Sequence, residues 1–483
     1  MQANSEQAQT GQGGVSWIPV SAQNVWFAVL AVSAVTVVGS GLTVAVICAS
    51  VWGAFALARG VYRFHIAGHQ VPFVIATVTF ALVGFSMTRF HAGTPIGLDG
   101  FEYLIFLAPL FLLPRYAVGP SKEKLRQLFK VALAAAGIVA GVVAVFQLLY
   151  WDMRAEGAAG NALAFATVAA MFGPASLLLL IESERPSDKL LGILGWSGAV
   201  IAVILSQSRT MIVVVLACSV LVAAFNWRAL TRDISVVLMR LLVGLTLAVT
   251  ALSVVVVLDR TNTDVQAGKA DETVPSSAGW RGVYLEAGWR VASNNWLLGV
   301  GRFERAHRVG LELESKEVPT KLQTKTEYTS WHRVLPQSVR PAVVKWQVER
   351  WERAREKEIA IEGVGDQSQS PLPRPFIEAT TIERVVSPHS HLHNAYMTMF
   401  VDHGVIGLLS LLMLFFAPVL GAVNHGLHRT DPSLLSCYVA TVLGLSFAGL
   451  TNVHIENDVI ASYFVVLSVI YWCILRTSSD QIS

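Results

Sequence analysis

Residues 387–407 read Ser387-Pro388-His389-Ser390-His391-Leu392-His393-Asn394-Ala395-Tyr396-Met397-Thr398-Met399-Phe400-Val401-Asp402-His403-Gly404-Val405-Ile406-Gly407, and an apolar run continues to Phe416. A polar, histidine-dense stretch passes without a break into an apolar helix. His389, His391 and His393 alternate, so they cannot share one helix face as an i, i+4 pair would. Pro388 keeps the chain before them extended. The helix is therefore expected to begin near His393, at a membrane surface, with a titratable group at its start.

Composition puts that helix among many others. The chain has 483 residues, 53% hydrophobic and 14% charged, with a mean hydropathy of +0.54. This lies outside the range of soluble domains, and apolar runs long enough to cross a bilayer recur along it. Spans are expected near 71–88, 101–114, 128–150, 161–181, 190–206, 210–225 and 236–258, and again near 394–422, 433–450 and 457–475. Residues 24–58, interrupted by Gly39-Ser40-Gly41, read as two short spans with a tight turn, or as one long tilted span. The fold class is an all-α polytopic membrane protein of about twelve transmembrane helices with one large helical outer loop. It divides into residues 1–258 (about nine helices), 259–388 (the loop domain) and 389–483 (about three helices). A net charge of +3 is too small to imply nucleic acid. The four cysteines are scattered singly, which suggests neither a disulfide framework nor a zinc site.

Lys and Arg set the orientation. In the short loops, Arg59, Arg63, Arg115, Lys122, Lys124, Arg126, Lys130, Arg185, Lys189, Arg228, Arg232, Arg240, Arg429 and Arg476 fall on one side, and only Arg89, Arg154 and Arg209 on the other. The rich side is cytoplasmic by the positive-inside rule, so the histidine run and the loop at 259–388 face outward. That loop carries 19 Lys/Arg and 18 Asp/Glu, over half of the charged residues. Within it, 280–294 has the spacing of an amphipathic helix, Leu297-Leu298-Gly299-Val300-Gly301 breaks that helix, and another begins at Arg302. Residues 343–361 read as a solvated surface helix, and 363–375 as a linker.

An imidazole at a membrane–water boundary can take a proton from a hydroxyl at neutral pH. His393 therefore reads as a general base, with a structural or headgroup-contacting histidine as the bland reading. A zinc site is a third reading, weakened because alternate residues of an extended segment point to opposite sides. Arg209, in Leu205-Ser206-Gln207-Ser208-Arg209-Thr210, is pinned near the hydrocarbon boundary, where a charge is costly unless used or paired. Snorkelling to headgroup phosphates is the alternative. Arg89 and Arg154 either line an anionic entrance or contact lipid phosphate. His389, His391 and Asn394 either orient His393, bind sugar, or cap the helix start. Asp402 and His403 read as buried polar partners of neighbouring groups. His454, Glu456, Asn457 and Asp458 read as a solvated turn or an acceptor contact. No Walker loop, Gly-x-Ser-x-Gly elbow or His-Glu-x-x-His occurs, and intramembrane carboxylates that could relay protons are scarce, which weakens a lipid or solute transporter reading.

Three motifs together resemble one family. His393-Asn394, nine residues, Gly404, two residues and Gly407 match the signature of bacterial O-antigen ligases. Ser206-Gln207-Ser208-Arg209-Thr210 resembles the Ser-Arg element of the O-antigen ligase and polymerase superfamily. Arg281, Trp289 and Leu297–Gly301 resemble its periplasmic Arg…Trp…Pro-Leu-x-Gly-x-Gly stretch, with Asn295-Trp296 in place of the usual His-Pro-like pair. The resemblance spans about residues 195–420. It implies a metal-independent, inverting glycosyltransferase of the bacterial inner membrane, acting in lipopolysaccharide biosynthesis without a cofactor. The donor would be an O-antigen glycan on undecaprenyl diphosphate and the acceptor lipid A–core oligosaccharide, with membrane lipids around them. His393 would be the base, with Arg209 and Arg281 on the diphosphate. An O-antigen polymerase and a protein O-oligosaccharyltransferase, using the same donor, are the related alternatives.

Overall fold

The computed structural model describes residues 41–61, 64, 66–92, 100–117, 122–151, 154–159, 161–233, 277–314, 392–450 and 457–475. Among them the regular structure is all helical. In chain order it comprises α1 (Gly41–Ala58), α2 (Val71–Ala92), a 3₁₀ segment Phe101–Leu107 leading into α3 (Ala108–Ala117), α4 (Lys122–Trp151), α5 (Ala162–Glu182), α6 (Pro186–Leu205), α7 (Arg209–Phe225) and α8 (Trp227–Asp233). After the outer loop begins come α9 (Ser277–Asn294) and α10 (Arg302–Glu314), then α11 (Ala395–Asn424), α12 (Leu427–Thr430), α13 (Pro432–Gly449) and α14 (Asp458–Ile474). Among the described residues six helices are long and apolar enough to cross a membrane, and four shorter ones are also apolar. The chain is a multi-pass membrane protein. The spans expected at 24–40 and 236–258, the helix at 343–361 and the linker at 363–375 lie outside the described residues.

Apolar sequence on all sides means burial on all sides. α5 is the central case, buried along its length from Ala164 to Leu180, and α14 is buried from Val459 to Leu475 apart from half-buried Cys473. Helix starts are marked by side-chain caps. Asn161 accepts from Leu163 N at 2.8 Å, Asn457 from Ile460 N at 3.2 Å, and Asp431 caps α13 with Pro432 at its first position. These caps satisfy amide groups that have no intrahelical partner.

In a bilayer, helices associate by close packing rather than by exclusion of water, and small residues permit it. α4 and α6 meet backbone to backbone at Gly137 and Gly141 against Gly195 and Gly198. α2 runs antiparallel to α11, with Pro72 against Gly421 at one end and His91 beside Gly301 near the other.

The end of the bundle opposite His393 is closed by a buried ion cluster. Arg126 on α4 donates to Glu182 at the end of α5 and to Asp431 at the start of α13. Lys130 reaches Glu182 at 3.2 Å, and Ser433 donates to it at 3.0 Å. Arg126 and Lys130, counted above among the cytoplasmic cations, are thus internal ties between three helices. Their exposures of 4% and 6% leave almost no charge for lipid headgroups. Replacing Arg126 by Ala leaves two carboxylates buried without their main partner, which costs about 3–5 kcal/mol. A marked fall in the apparent melting temperature of the detergent-solubilised variant is the expected result.

Candidate functional site

The start of α11 is built from three consecutive residues with different tasks. Leu392 is 1% exposed and packs in a small cluster with Tyr284, Ala287, Val291 and Val401. Asn394 caps the helix, accepting from Met397 N at 2.8 Å, and donates from Nδ2 to the Leu450 carbonyl at 3.0 Å. Between them His393 is exposed and has a φ of 50°. A left-handed backbone costs a non-glycine residue roughly 1–2 kcal/mol, so its neighbours hold it there. Tyr396 adds a second tie to the end of α13, donating to Ser446 O at 2.9 Å. His389 and His391 lie outside the described residues.

Two turns further on, α11 is broken. Gly404 has φ 63° and ψ −161°. In an unbroken helix the Val405 amide would bond the Val401 carbonyl. Here Val405 N donates instead to Trp296 O at 2.7 Å, while Val401 O accepts from Val300 N at 2.8 Å and Asp402 O from Gly301 N at 3.0 Å. The segment Trp296–Gly301, between α9 and α10, is a strap that satisfies the backbone groups exposed by the kink. Such groups are costly at membrane depth if left unpaired. Close approach demands glycine on both sides. A Cβ on Gly404 would collide with the Leu297 carbonyl, and a Cβ on Gly299 (φ 72°) with the Asp402–His403 peptide. Gly407 leaves room for the His403 side chain. The glycines of two motifs far apart in sequence thus form one joint.

Side chains reinforce the joint. Asp402, 1% exposed, forms a buried ion pair with Arg305 of α10, which is 3% exposed. His403 is fully buried, with Nε2 3.1 Å from the Tyr103 hydroxyl. Arg302 pairs with Glu102 at 2.5 Å. Arg305 and Tyr103 stand in no motif of the sequence, and Asp99 with Glu102 is too widely spaced for a divalent-ion site. A carboxylate within an apolar helix signals a cation partner, so Asp402 indicated that one exists. Nothing in the spacing says that it is Arg305.

The arginines stand around the same end of the bundle. The Ser206–Ser208 turn carries Arg209, half-buried, as the first residue of α7. Gln207 has a φ of 57°. Arg154 holds this turn from outside, donating from Nε and Nη2 to Ser206 O at 3.2 and 2.9 Å. α7 runs antiparallel to α13, with Val214 against Gly444, Cys218 bonded to Ala440 O and Asn226 bonded to Ser436. Arg209 therefore lies at the Leu450 end of α13, the end to which Asn394 is tied. Arg281 is exposed on α9. One turn along, Tyr284 is buried beside Leu392, and burial pushes its phenol up to about 12. Gly288 faces Leu392 and Met397, and Trp289 meets Phe400 with ring centroids 5.7 Å apart. α9 is thus docked along the start of α11. Arg89, near the end of α2, lies over the rings of Phe85 and Phe101 at 5.9 and 5.7 Å.

No match is found among curated proteins. A family model described as O-antigen ligase matches residues 194–335, a stretch that contains the Arg209 turn, α9 and the strap. Over that stretch, this multi-pass membrane protein is similar to the O-antigen ligase family, which supports a place in the O-antigen ligase/polymerase superfamily.

Proposed function

We propose that the chain is an O-antigen ligase of the bacterial inner membrane, working on the periplasmic side. It transfers a glycan from undecaprenyl diphosphate to a hydroxyl of lipid A–core oligosaccharide. The observation that carries this reading is the strap joint. It ties the helix of Arg281 to α11 at the kink, two turns beyond His393, while Asn394 ties the start of α11 to the end of α13 where Arg209 also lies. His393 takes the proton of the acceptor hydroxyl as its oxygen attacks the anomeric carbon. The bond from that carbon to the diphosphate oxygen breaks, and the configuration inverts. The charge that builds on the leaving diphosphate is met by guanidinium groups, which offer paired donors to phosphate oxygens. Arg209 and Arg281 take that role. Arg154 holds the Arg209 turn through Ser206, and Asn394 holds the backbone of His393.

Each of Arg209→Ala and Arg281→Ala lowers transfer about 10- to 100-fold, since a hydrogen bond to a charged group contributes roughly 1.5–3 kcal/mol. Unchanged transfer in both variants rejects the clamp. Transfer persists in EDTA. Loss on chelation with rescue by one divalent ion would make metal chemistry the better account. The deciding experiment gives purified protein a lipid-linked glycan with either lipid A–core or a second lipid-linked glycan. Glycosylated lipid A–core identifies a ligase. A longer lipid-linked chain identifies a polymerase, the other activity of the superfamily.

A further inference from the structure

An apolar groove runs between α4 and α6 on the outside of the bundle. Its volume is about 480 Å³, within the range of small-molecule sites, ~300–1,000 Å³. Gly141 and Gly198 form its floor, where the two helices touch backbone to backbone and a Cβ on either would strike the other helix. Val145, Phe146 and Leu149 form one wall and Ile201 the other. Phe146 and Leu149 are 44% and 71% exposed, so the groove opens sideways, toward lipid. From Ile138 to Tyr150 it extends about 18 Å along α4, at roughly 1.5 Å per residue. Its direction matters more than its size. At the upper end α4 leads to Arg154 and α6 leads to Ser206, and these two residues bond to each other. Arg209 follows three residues later.

We infer that this groove holds the isoprene units nearest the diphosphate of a polyprenyl diphosphate, with the diphosphate itself at the Arg154–Arg209 end. The inference rests on the donor class proposed above and adds the place where its lipid is held. Hydrocarbon walls suit a branched chain with no polar atoms. The floor is set by a close glycine contact between the two helices, and a groove already formed lowers the ordering cost of binding. Two guanidinium groups at one end of an apolar channel match a ligand that is anionic at one end and hydrocarbon throughout the rest.

The test measures binding rather than transfer. Full-length protein in lipid nanodiscs is irradiated with undecaprenyl phosphate carrying a diazirine on its chain, and adducts are mapped by mass spectrometry. Adducts are expected on α4 and α6. An excess of undecaprenyl diphosphate reduces them about tenfold, and the same excess of phosphatidylethanolamine does not. Val145→Trp, which fills the groove, reduces them similarly, at about the tenfold that 1.4 kcal/mol represents. Leu149→Trp, on the open lip, serves as the second variant should the first fail to fold. Leu82→Trp, on the lipid face of α2, leaves the adducts unchanged. Adducts spread evenly over the lipid-facing helices, or displaced equally by phosphatidylethanolamine, overturn the inference and leave a groove filled by bulk lipid. Specific labelling without glycan transfer overturns only the proposed function. Transfer without labelling of the groove overturns only the groove.

Discussion

His393→Ala lowers glycan transfer by about 10²–10⁴-fold, the usual contribution of a positioned general base. The side chain is exposed while Leu392 is buried and Asn394 caps α11, so removing the imidazole leaves the local packing in place. Gel-filtration behaviour and melting temperature are expected to match the parent. His393→Gly sharpens the test. Its backbone adopts a φ of 50° without the Cβ penalty, a relief of roughly 1–2 kcal/mol. That variant should be at least as stable as the parent and as inactive as His393→Ala. A stable, inactive protein separates a chemical role from a structural one. Full transfer in either variant removes His393 from the mechanism. The buried neighbour behaves differently: His403 is enclosed and bonded to Tyr103, so its loss should show first as lower stability.

Gly404→Val uncouples the outer helices from the membrane bundle. The new side chain would drive into the Leu297 carbonyl and would have to adopt φ 63°, an outlier for a β-branched residue. The strap must then leave the kink. Three backbone hydrogen bonds break, and the Arg305–Asp402 pair, at 3% and 1% exposure, loses its enclosure. Breaking such a pair alone costs about 3–5 kcal/mol. Limited proteolysis should cut at Asn295–Gly301 in this variant and spare the parent, and transfer should fall at least as far as in the single arginine variants. An intact strap in Gly404→Val, shown by unchanged proteolysis and transfer, would mean that the joint is not what holds α9 at the rim.

Much of this architecture was legible in the sequence. The apolar runs near 161–181, 433–450 and 457–475 correspond to α5, α13 and α14, while Asn457, read as a solvated turn or an acceptor contact, caps α14. Leu297–Gly301 read as a helix break, and the structure has α9 ending at Asn294 and α10 starting at Arg302. The helix expected near His393 begins at Ala395. Asn394 was open between capping, orienting and sugar contact, and in the structure it caps α11 and ties it to Leu450. Arg126 and Lys130 carried their charge visibly, but burial against Glu182 and Asp431 could not be read from it.

What the chain determined alone were the local terms: hydropathy, caps, and glycines where no Cβ is tolerated. What only the tertiary structure decided was which glycine meets which. Gly299 and Gly404 lie about a hundred residues apart, and no periodicity links them. The reason is physical: a kinked helix leaves backbone donors and acceptors open, and any strap of the right shape could close them. Residue type shows that a close approach occurs, and three-dimensional packing alone selects the partner. The same holds for Asp402, whose burial requires a cation that the fold, and not the spacing, identifies as Arg305.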